Sequence, residues 1–305
     1  MKTASTARAS SAKLPVTVSN PDKVFWPEEG YTKLDLVEYY AAIFSKLVPY
    51  VKERILSLER CPDGMKGECF YQKEIPPGMP PDTPMKRIDT PEGKRKSVNY
   101  VVGGSLKTEL ALANLGCIAV HVMAGRAGAP RQSDWICFDL DPESGKFADA
   151  ARAGLVVKEA LDALKLDSFP KTSGSRGMHV LVPIRTGPDA SEVLEFAEKV
   201  VARVAAAHPK ELTVDHSLAA RRGRVYLDPF RNGFGQTVVA PYSIRHRAHA
   251  PISTPLAWSE VKPELDPADF NLGNFLRRAR HADPWRDFFR TRQSLKDAAR
   301  LVAKL

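Results

Sequence analysis

The feature that most constrains the fold is a regular alternation of strand-like and helix-like apolar patterns that begins at Trp135. The pattern predicts strands at 135–140, 178–183 and 224–228, and helices at 147–164 and 190–206. Such an alternation is typical of helices packed against a sheet. The sequence therefore predicts an α/β or α+β core with one sheet.

The first half of the chain is less regular. The segment 32–35 resembles a capping box that opens a helix, and Pro49 is expected to end or kink that helix near residue 48. The apolar residues at helical spacing, expected on its buried face, are Leu34, Val37, Ala41, Phe44 and Val48. The segment 61–96, rich in proline, glycine and charge, predicts loops and short strands.

The charge of the chain favours a polyanionic partner. Lys and Arg number 45 against 36 Asp and Glu, which gives a formal net charge of +9, and nucleic acid is the leading candidate. No apolar run is long enough for a membrane span, and the start lacks the apolar core of a secretory signal. We therefore expect a cytoplasmic protein that associates with the nucleoid, with a basic flexible tail at 1–18 and one domain at 19–305.

The four cysteines form no C-x-x-C pair, and some lie inside apolar runs. They are Cys61, Cys69, Cys117 and Cys137. Reduced structural thiols are the interpretation that this pattern favours in an intracellular protein.

The FDLDP segment at 138–142 ends the first predicted strand in two carboxylates. Because side chains alternate along a strand, Asp139 and Asp141 project from one face while their apolar neighbours face the core. Carboxylates suit hard cations such as Mg²⁺ or Mn²⁺. The same D-x-D spacing also occurs in solvated acidic turns, in haloacid dehalogenase phosphatases and in sugar-nucleotide glycosyltransferases. Glu143 and the position of the motif in mid-chain weaken the phosphatase interpretation.

The segment 171–180 supplies a candidate anion site before the next strand. Its glycines allow a tight turn whose N–H groups can face phosphate oxygens, and Ser173, Ser175 and Arg176 add side-chain donors. His179 is either a core histidine or a charged donor beside phosphate.

A third carboxylate, Asp228, ends the strand predicted at 224–228. Three carboxylates can complete a two-metal site for an in-line displacement. Further along the chain, Ser243 and Arg245 are candidates for gripping a triphosphate, because the arginine fork matches phosphate oxygens.

Taken together, four motifs resemble a known family. In chain order they are FDLDP at 138–142, SGSRGMH at 173–179, YLDPFRN at 226–232 and APYSIR at 240–245. They are similar to the polymerase domain of bacterial ATP-dependent DNA ligase D, a member of the archaeo-eukaryotic primase superfamily that works in non-homologous end joining. The resemblance extends from about residue 19 to the C-terminus. It implies an α+β primase-polymerase fold with central, mostly antiparallel or mixed sheets flanked by helices.

The resemblance also implies roles for individual residues. Asp139, Asp141 and Asp228 match the catalytic, metal-binding carboxylates, which hold two ions, Mn²⁺ by preference or Mg²⁺. The positions that match nucleotide contacts are Ser173, Ser175, Arg176, His179 and Arg245. The positions that match a pocket for the 5′-phosphate of the downstream strand are Asn20, Lys23 and Lys33. Phe70 and Tyr71 match an aromatic pair that stacks on template bases, with Tyr where Phe is usual, and His121 matches a histidine near the template.

The function implied by this resemblance is metal-dependent transfer of nucleotides from nucleoside triphosphates to the 3′-OH of a DNA end or gap. It includes gap filling, ready use of ribonucleotides, limited untemplated addition, and Ku and a DNA ligase as candidate partners. Because neither a K-x-D-G ligase motif nor a phosphoesterase-like segment occurs, we expect a stand-alone polymerase or an excised domain. The alternative is a non-catalytic module that binds DNA ends, and the three carboxylates argue against it.

Overall fold

The computed structural model describes residues 14–90 and 96–305 of the chain. Its strands are β1 (Val24–Trp26), β2 (Tyr31–Thr32), β3 (Arg54–Arg60), β4 (Phe70–Gln72), β5 (Met85–Asp89), β6 (Ser97–Val101), β7 (Cys117–Arg126), β8 (Ala129–Ser133), β9 (Trp135–Pro142), β10 (Phe169–Thr172), β11 (Met178–Pro183), β12 (Leu212–Thr213), β13 (Val225–Asp228) and β14 (Val238–Val239). Its α-helices are α1 (Lys33–Val51), α2 (Leu106–Asn114), α3 (Phe147–Ala163), α4 (Ala190–Ala207), α5 (Leu218–Arg221), α6 (Phe275–Arg278) and α7 (Leu295–Ala299).

The first sheet contains the strands predicted from the alternating pattern. Its order is β10, β11, β9, β13, β12, and all neighbours are antiparallel except β12 and β13, which are parallel. Helices α3 and α4 cover one face, where Ile136, Phe138 and Leu140 of β9 join a buried apolar cluster with residues of both helices. The predicted α+β class and the alternating strands and helices after residue 135 are confirmed.

A second five-stranded sheet makes the expectation of one sheet wrong. Its order is β14, β7, β3, β4, with β8 paired to β7. Antiparallel pairing brings Leu58 of β3 opposite Val120 of β7, some sixty residues later in the chain. A pairing over that distance leaves no trace in local periodicity, so the sequence pattern alone did not reveal the second sheet.

The two sheets are joined at the start of β9 by a buried ion pair. The guanidinium of Arg54 on β3 lies 2.6 Å from the carboxylate of Asp134, and both side chains are buried. The same guanidinium lies 3.6 Å above the ring of Trp135, and Arg126 reaches the second oxygen of Asp134 at 3.0 Å. Separating the two side chains would leave a buried charge without a partner. The ion pair therefore holds the start of β9 against the second sheet.

Helix α1 begins as the sequence predicts and ends later. The hydroxyl of Thr32 accepts the N–H of Asp35, whose carboxylate accepts the N–H of Thr32 at 2.7 Å. Pro49 lies inside the last turn, where its missing N–H costs one hydrogen bond without ending the helix. The expected apolar face was also wrong in part, because the buried side includes Tyr39, Tyr40 and other residues beside Val37. The hydroxyls of Tyr39 and Tyr40 donate hydrogen bonds to buried backbone carbonyls, so both rings can lie in the core although each carries a polar group.

The segment 61–96 forms loops and the short strands β4 and β5, as expected. It also overturns the prediction that all cysteines are reduced, because Cys61 and Cys69 form a disulfide. They follow β3 and precede β4, whose antiparallel register places their Cα atoms 4.4 Å apart. Linear spacing did not show this cross-strand neighbourhood. Cys117 and Cys137 are free and buried, as predicted.

The N-terminal part of the described chain packs on the body. Residues 1–13 of the predicted basic tail lie outside the described residues. Leu14, Val16 and Val18 lie against the apolar cluster around α1, and Asn114 donates to the carbonyl of Thr17 at 3.3 Å. In the described part of the chain, no helix is both long enough and apolar enough to cross a membrane.

A buried carboxyl group on α2 generates a prediction about stability. Glu109 is 2% exposed, its Oε1 accepts the N–H of Gly104 at 3.3 Å, and its Oε2 has no hydrogen-bond partner. Burial raises the pKa of Glu109 to about 7. The folded protein therefore keeps a proton that the unfolded chain loses, and stability falls as the pH rises toward 7.

We expect Glu109→Gln to remove this loss, which amounts to at most about 3 kcal/mol. The free energy of unfolding of the variant, measured by urea denaturation, should exceed that of the parent above pH 7 and approach it near pH 4.5. Glu198→Gln, at an exposed position of α4, is the control and should follow the parent. A constant difference between Glu109→Gln and the parent across this pH range would contradict the assignment.

Candidate active site

The three predicted carboxylates lie close together because of the register of two neighbouring strands, β9 and β13. Asp139 of β9 pairs with Asp228 of β13 on one side and with His179 of β11 on the other. Asp141 lies two residues further along β9, opposite Tyr226. On this face β9 begins with Trp135 and Cys137, which belong to the core between the sheets. The acidic residues thus continue the buried face of β9 to the point where it opens into a cleft.

Arg231, to which the sequence motifs gave no role, bridges two of these carboxylates. The Nε of Arg231 lies 3.2 Å from Asp139 and 3.5 Å from Asp228. Arg231 belongs to the YLDPFRN motif, and the short 3-10 turn Phe230–Asn232 turns it back over the strand end. Its position three residues after Asp228 is the sequence feature that could have predicted this contact. The positive charge partly neutralises the acidic cluster.

The pKa values of the carboxyl groups differ because their neighbours differ. His179 and Arg231 outweigh the effect of burial at Asp139 and hold its pKa well below the usual range. Burial, with the negative charges of Asp139 and Asp228, raises the pKa of Asp141 to about 6. Burial, together with the charge of Asp139, also raises the pKa of Asp228. Two of the three groups thus carry an electrostatic cost that a further cation would relieve.

His179 is placed to hold Asp139 and not to carry a charge. Burial, with the positive charge of Lys171, lowers the pKa of His179 to about 4. The neutral ring places Nε2 3.2 Å from Asp139 Oδ1, and its Nδ1 is buried with no hydrogen-bond partner. Of the two interpretations offered by the sequence, the geometry favours a buried, hydrogen-bonded histidine over a charged donor.

The glycine-containing loop between β10 and β11, predicted as an anion site, lies beside Asp141, but two of its backbone N–H groups already have partners within the loop. The hydroxyl of Ser173 accepts the N–H groups of Ser175 at 3.2 Å and Gly177 at 3.1 Å, so these two donors turn inward and not toward a ligand. A Cβ on Gly177 would lie 2.5 Å from the carbonyl oxygen of Leu140, and this close approach explains the glycine. Arg176 is exposed at the tip of the loop.

Arginines dominate the remaining charge of the cleft. Arg245 donates to the carbonyl of Ser173 at 2.9 Å, and Arg247 lies 3.4 Å from the hydroxyl of Ser175. Both contacts hold the loop against the segment that follows β14. The cleft has a volume of about 460 Å³. Its arginines are Arg176, Arg221, Arg231, Arg245 and Arg247. Five guanidinium groups around a small acidic centre suit a ligand with several negative charges.

Ser243 does not reach this cleft. Its side chain is fully buried, and its hydroxyl accepts the N–H of Val120 at 2.9 Å and lies 3.1 Å from the hydroxyl of Tyr40. The prediction that Ser243 grips a triphosphate is therefore wrong. It ties the segment after β14 to β7 and α1, which helps to fix its neighbour Arg245. The short distance between Ser243 and Arg245 in the sequence suggested a shared role, but Ser243 is fully buried whereas Arg245 lines the cleft.

The second sheet supplies the opposite wall of the cleft. Tyr71 of β4 and His121 of β7 both line it, and their rings lie edge to face with centroids 5.4 Å apart. Burial lowers the pKa of His121. Phe70 is 42% exposed and Tyr71 is 61% exposed, unusually open positions for large aromatic side chains. The predicted aromatic pair is thus available to a ligand, and its Tyr71 borders the acidic centre.

The predicted basic pocket forms a separate group, here called the basic patch (Asn20, Lys23, Lys33). The carbonyl of Asn20 accepts the N–H of Lys23 at 3.1 Å, and the carbonyl of Lys23 accepts that of Lys33 at 2.8 Å. The ammonium of Lys23 pairs with Asp63. Burial, with the charge of Lys23, lowers the pKa of Lys33. The three residues lie together, but none of them lines the cleft.

Comparisons with known proteins agree on one family. The family described as LigD, primase-polymerase domain, matches residues 32–285. Among curated proteins, the chain is 29% identical over 297 residues to the "Multifunctional non-homologous end joining protein LigD" of Mycolicibacterium smegmatis, covering 93% of this chain and 39% of that protein. It is 30% identical over 309 residues to the protein of the same name from Pseudomonas aeruginosa, covering 97% of this chain and 36% of that protein.

A solved structure supports the same relationship. The "Polymerase Domain from Mycobacterium tuberculosis Ligase D in complex with DNA" matches with a TM-score of 0.84 and 28% identity, over 91% of this chain and 99% of that one. The chain therefore spans little more than a third of the length of these two LigD proteins but nearly all of the solved polymerase domain. By family match, sequence identity and fold, this chain belongs to the LigD primase-polymerase domain family.

Proposed function

We propose that the chain is a DNA-directed nucleotidyltransferase that extends 3′-OH ends and fills short gaps at DNA breaks in non-homologous end joining. One observation carries the proposal: Asp139, Asp141 and Asp228 lie at neighbouring positions at the end of one sheet, where Asp139 and Asp141 line a cleft together with five arginines. A related polymerase domain of the same fold is known in complex with DNA. Its substrates would be nucleoside triphosphates, with ribonucleotides preferred, and it would add a few nucleotides without a template.

The acidic centre fits two divalent ions, Mn²⁺ or Mg²⁺. Its donors are carboxylate oxygens, which hard cations prefer. Burial and the neighbouring negative charges raise the pKa of Asp141, and bound cations would compensate these charges. Asp139, Asp141 and Asp228 would hold the ions, and Arg231 would have to give way at Asp139 and Asp228. When bound, the ions would supply an activated 3′-OH and charge stabilisation at the reacting phosphate.

The other residues of the cleft position the substrate. Arg245 and Arg176 offer donors that match the oxygens of a triphosphate, and Arg245 is oriented by its bond to Ser173. The neutral imidazole of His179 holds Asp139 in one orientation through a single hydrogen bond. With the 3′-OH and the triphosphate held in line, the reaction needs no protein nucleophile, because positioning and charge stabilisation supply the catalysis.

DNA would bind across the two walls and the basic patch. The exposed rings of Phe70 and Tyr71 suit base stacking, which is worth roughly 1–3 kcal/mol per base and tolerates any sequence. Lys23 and Lys33 suit the 5′-phosphate of a downstream strand at a gap. Affinity for DNA is expected to fall with salt concentration, since contacts to phosphates release condensed cations. Ku and a DNA ligase are candidate partners, and the site of action would be the nucleoid in the cytoplasm.

A non-catalytic module that binds DNA ends is the rival function. The basic patch and the aromatic pair would serve such a module equally well. The acidic cluster would not, because three carboxylates facing the phosphate backbone weaken binding unless metal ions compensate them. The arrangement of charges therefore favours catalysis.

Substitution of the carboxylates tests the catalytic role. Asp139→Ala and Asp228→Ala should each lower extension of a primer on a gapped, 5′-phosphorylated duplex by at least about a hundredfold, since bound metal ions contribute several kcal/mol. Asp167→Ala, at an exposed position remote from the cleft, is the control and should extend like the parent. Assays with each nucleotide type and each metal ion identify the preferred substrate and cofactor. Extension by both cleft variants at the parental rate would exclude the catalytic assignment.

Thermal unfolding tests metal binding without catalysis. Because the folded state raises the pKa of Asp141, its ionisation at neutral pH costs stability. In the presence of a chelator at pH 7.5, Asp141→Asn should therefore be more stable than the parent by about 1–2 kcal/mol. Added Mn²⁺ should raise the Tm of the parent and raise that of the variant much less. Asp167→Asn should match the parent both in stability with the chelator and in the rise of Tm with Mn²⁺. Equal Mn²⁺ shifts in Asp141→Asn and the parent would count against the acidic centre as the metal site.

Binding to two gapped duplexes tests the basic patch. A duplex with a 5′-phosphate at the gap should bind the parent about tenfold more tightly than one without it, as expected for one charge-assisted contact. Lys23→Ala should lose this preference and keep its affinity for the unphosphorylated duplex. Lys210→Ala removes an equal charge at an exposed position elsewhere and should keep the preference. If Lys23→Ala retains the full preference for the phosphate, the patch has another role.

A further inference from the structure

Outside the acidic cleft, one cluster of side chains combines ligand types that bind transition metals. In the parts of the chain that the structure describes, Cys61, Cys69 and His246 form a group of three potential ligands whose donor atoms lie within 4.8 Å of one another. The Nε2 of His246 lies 3.3 Å from the sulfur of Cys69. The function proposed above makes no use of these three residues.

The hairpin of β3 and β4 brings the two sulfurs to this histidine. Arg60 pairs with Phe70 at the end of the hairpin, so Cys61 and Cys69 occupy the next facing positions, where they form the disulfide. Cys61 is held by its N–H bond to the carbonyl of Gly116 at 2.8 Å. His246 comes from a different part of the chain, directly after Arg245. A disulfide alone needs no imidazole. The contact between the His246 ring and the Cys69 sulfur therefore indicates a further role for this cluster.

We propose that the reduced form of this cluster, the thiolates of Cys61 and Cys69 with the imidazole of His246, binds one zinc ion. Zinc takes thiolate sulfur at about 2.3 Å and imidazole nitrogen at about 2.0–2.1 Å in a tetrahedral arrangement, which sets sulfur and nitrogen ligands roughly 3.6 Å apart. The distance between Cys69 and His246 is already close to this value. The two sulfurs, once unbonded, need to separate to roughly 3.8 Å. Water fills the fourth position.

A carboxylate behind the histidine supports the metal site. Glu59 Oε1 lies 3.9 Å from Nδ1 of His246, whereas the sulfur contact is made by Nε2. Metal-bound histidines commonly direct their second nitrogen to a carboxylate, which orients the ring and increases its basicity. The second oxygen of Glu59, Oε2, is buried with no hydrogen-bond partner. The half-buried position of Cys69 and His246 leaves a path for the ion.

The disulfide and the zinc site exclude each other, since a bonded pair of sulfurs carries no thiolate. A dithiol reductant, such as a protein of the thioredoxin class, opens the site by thiol–disulfide exchange. Its two thiols become a disulfide, and two electrons and two protons pass to Cys61 and Cys69. Zinc then displaces the two thiol protons as it binds. In the reducing environment where DNA is repaired, the metal form is thus the one that the chemistry favours.

The cluster lies where it affects DNA contacts. The loop 62–68 that it closes carries Asp63, the partner of Lys23 in the basic patch. Phe70 of the aromatic pair follows Cys69 directly, and Arg245 of the cleft precedes His246. A zinc ion would cross-link the hairpin to the segment 245–247, here called the arginine segment, in a reduced protein. This consequence for DNA binding rests on the proposed function, whereas zinc binding itself does not.

Cobalt substitution tests the site directly, because thiolate ligands give Co²⁺ an intense near-ultraviolet charge-transfer band that carboxylates do not. The full chain is reduced with a phosphine, freed of metal and titrated with Co²⁺ and then Zn²⁺. We expect the band to saturate at one cobalt per chain and to disappear when zinc displaces it. Cys69→Ser should abolish the band, His246→Ala should weaken Co²⁺ binding at least tenfold, and Cys137→Ala, which removes the buried free thiol on β9, should leave it unchanged.

A second measurement covers the case in which a cysteine variant fails to fold. In the reduced parent, zinc should protect two thiols from a thiol-reactive dye, and a chelator should expose them again. Absence of the band in the reduced parent, or a band that persists in folded Cys69→Ser, would overturn the proposal and leave a structural disulfide only. Equal thiol reactivity with and without zinc would do the same. None of these results depends on polymerase activity, so the zinc site and the proposed function can fail separately.

Discussion

The antiparallel register of β9 between β11 and β13 is the constraint on which the candidate site depends. It places His179 and Asp228 on either side of Asp139, so three side chains from distant parts of the sequence share one face at neighbouring positions. A shift of one residue in either pairing would turn a partner to the opposite face, into the apolar cluster under α3 and α4. The site is thus a property of strand pairing, and its loops complete it.

The start of β9 holds this register in place. Asp134 binds both Arg54 and Arg126 of the second sheet, and Trp135 and Cys137 lie in the core between the sheets. The strand therefore begins in a dry, charge-paired environment and ends in an open, acidic one. Because its beginning is anchored to both sheets, the carboxylates at its end keep their positions despite their mutual repulsion.

Charge balance explains the other side chains of the cleft. Burial and the neighbouring negative charges raise the pKa values of Asp141 and Asp228, so their ionised forms destabilise the fold. Arg231 offsets part of this cost and leaves a centre that gains from binding cations. The remaining arginines line the cleft around this centre, where an anionic substrate would lie. The cleft thus combines carboxylates that are costly to ionise with arginines around them, and such perturbed groups are common at functional sites.

The rim of the molecule joins features that are separate in the sequence. The hairpin of β3 and β4 carries the exposed aromatic pair, its loop carries the partner of Lys23, and its cysteines lie against His246. A local change in the state of these cysteines would therefore reach the basic patch, the aromatic pair and the arginine segment together.

What the sequence determined by itself was the local structure and the residue types. Alternation of apolar residues along β9 and β13 predicted which faces carry Asp139, Asp141 and Asp228, and four motifs were enough to identify the family. These features follow from periodicity and from short stretches of sequence. Tertiary structure alone decided the second sheet, the disulfide between Cys61 and Cys69, the bridging position of Arg231 and the burial of Ser243. Each of these depends on which distant segments pair and in which register, and on the burial that results. Short-range sequence patterns do not contain information about these long-range pairings.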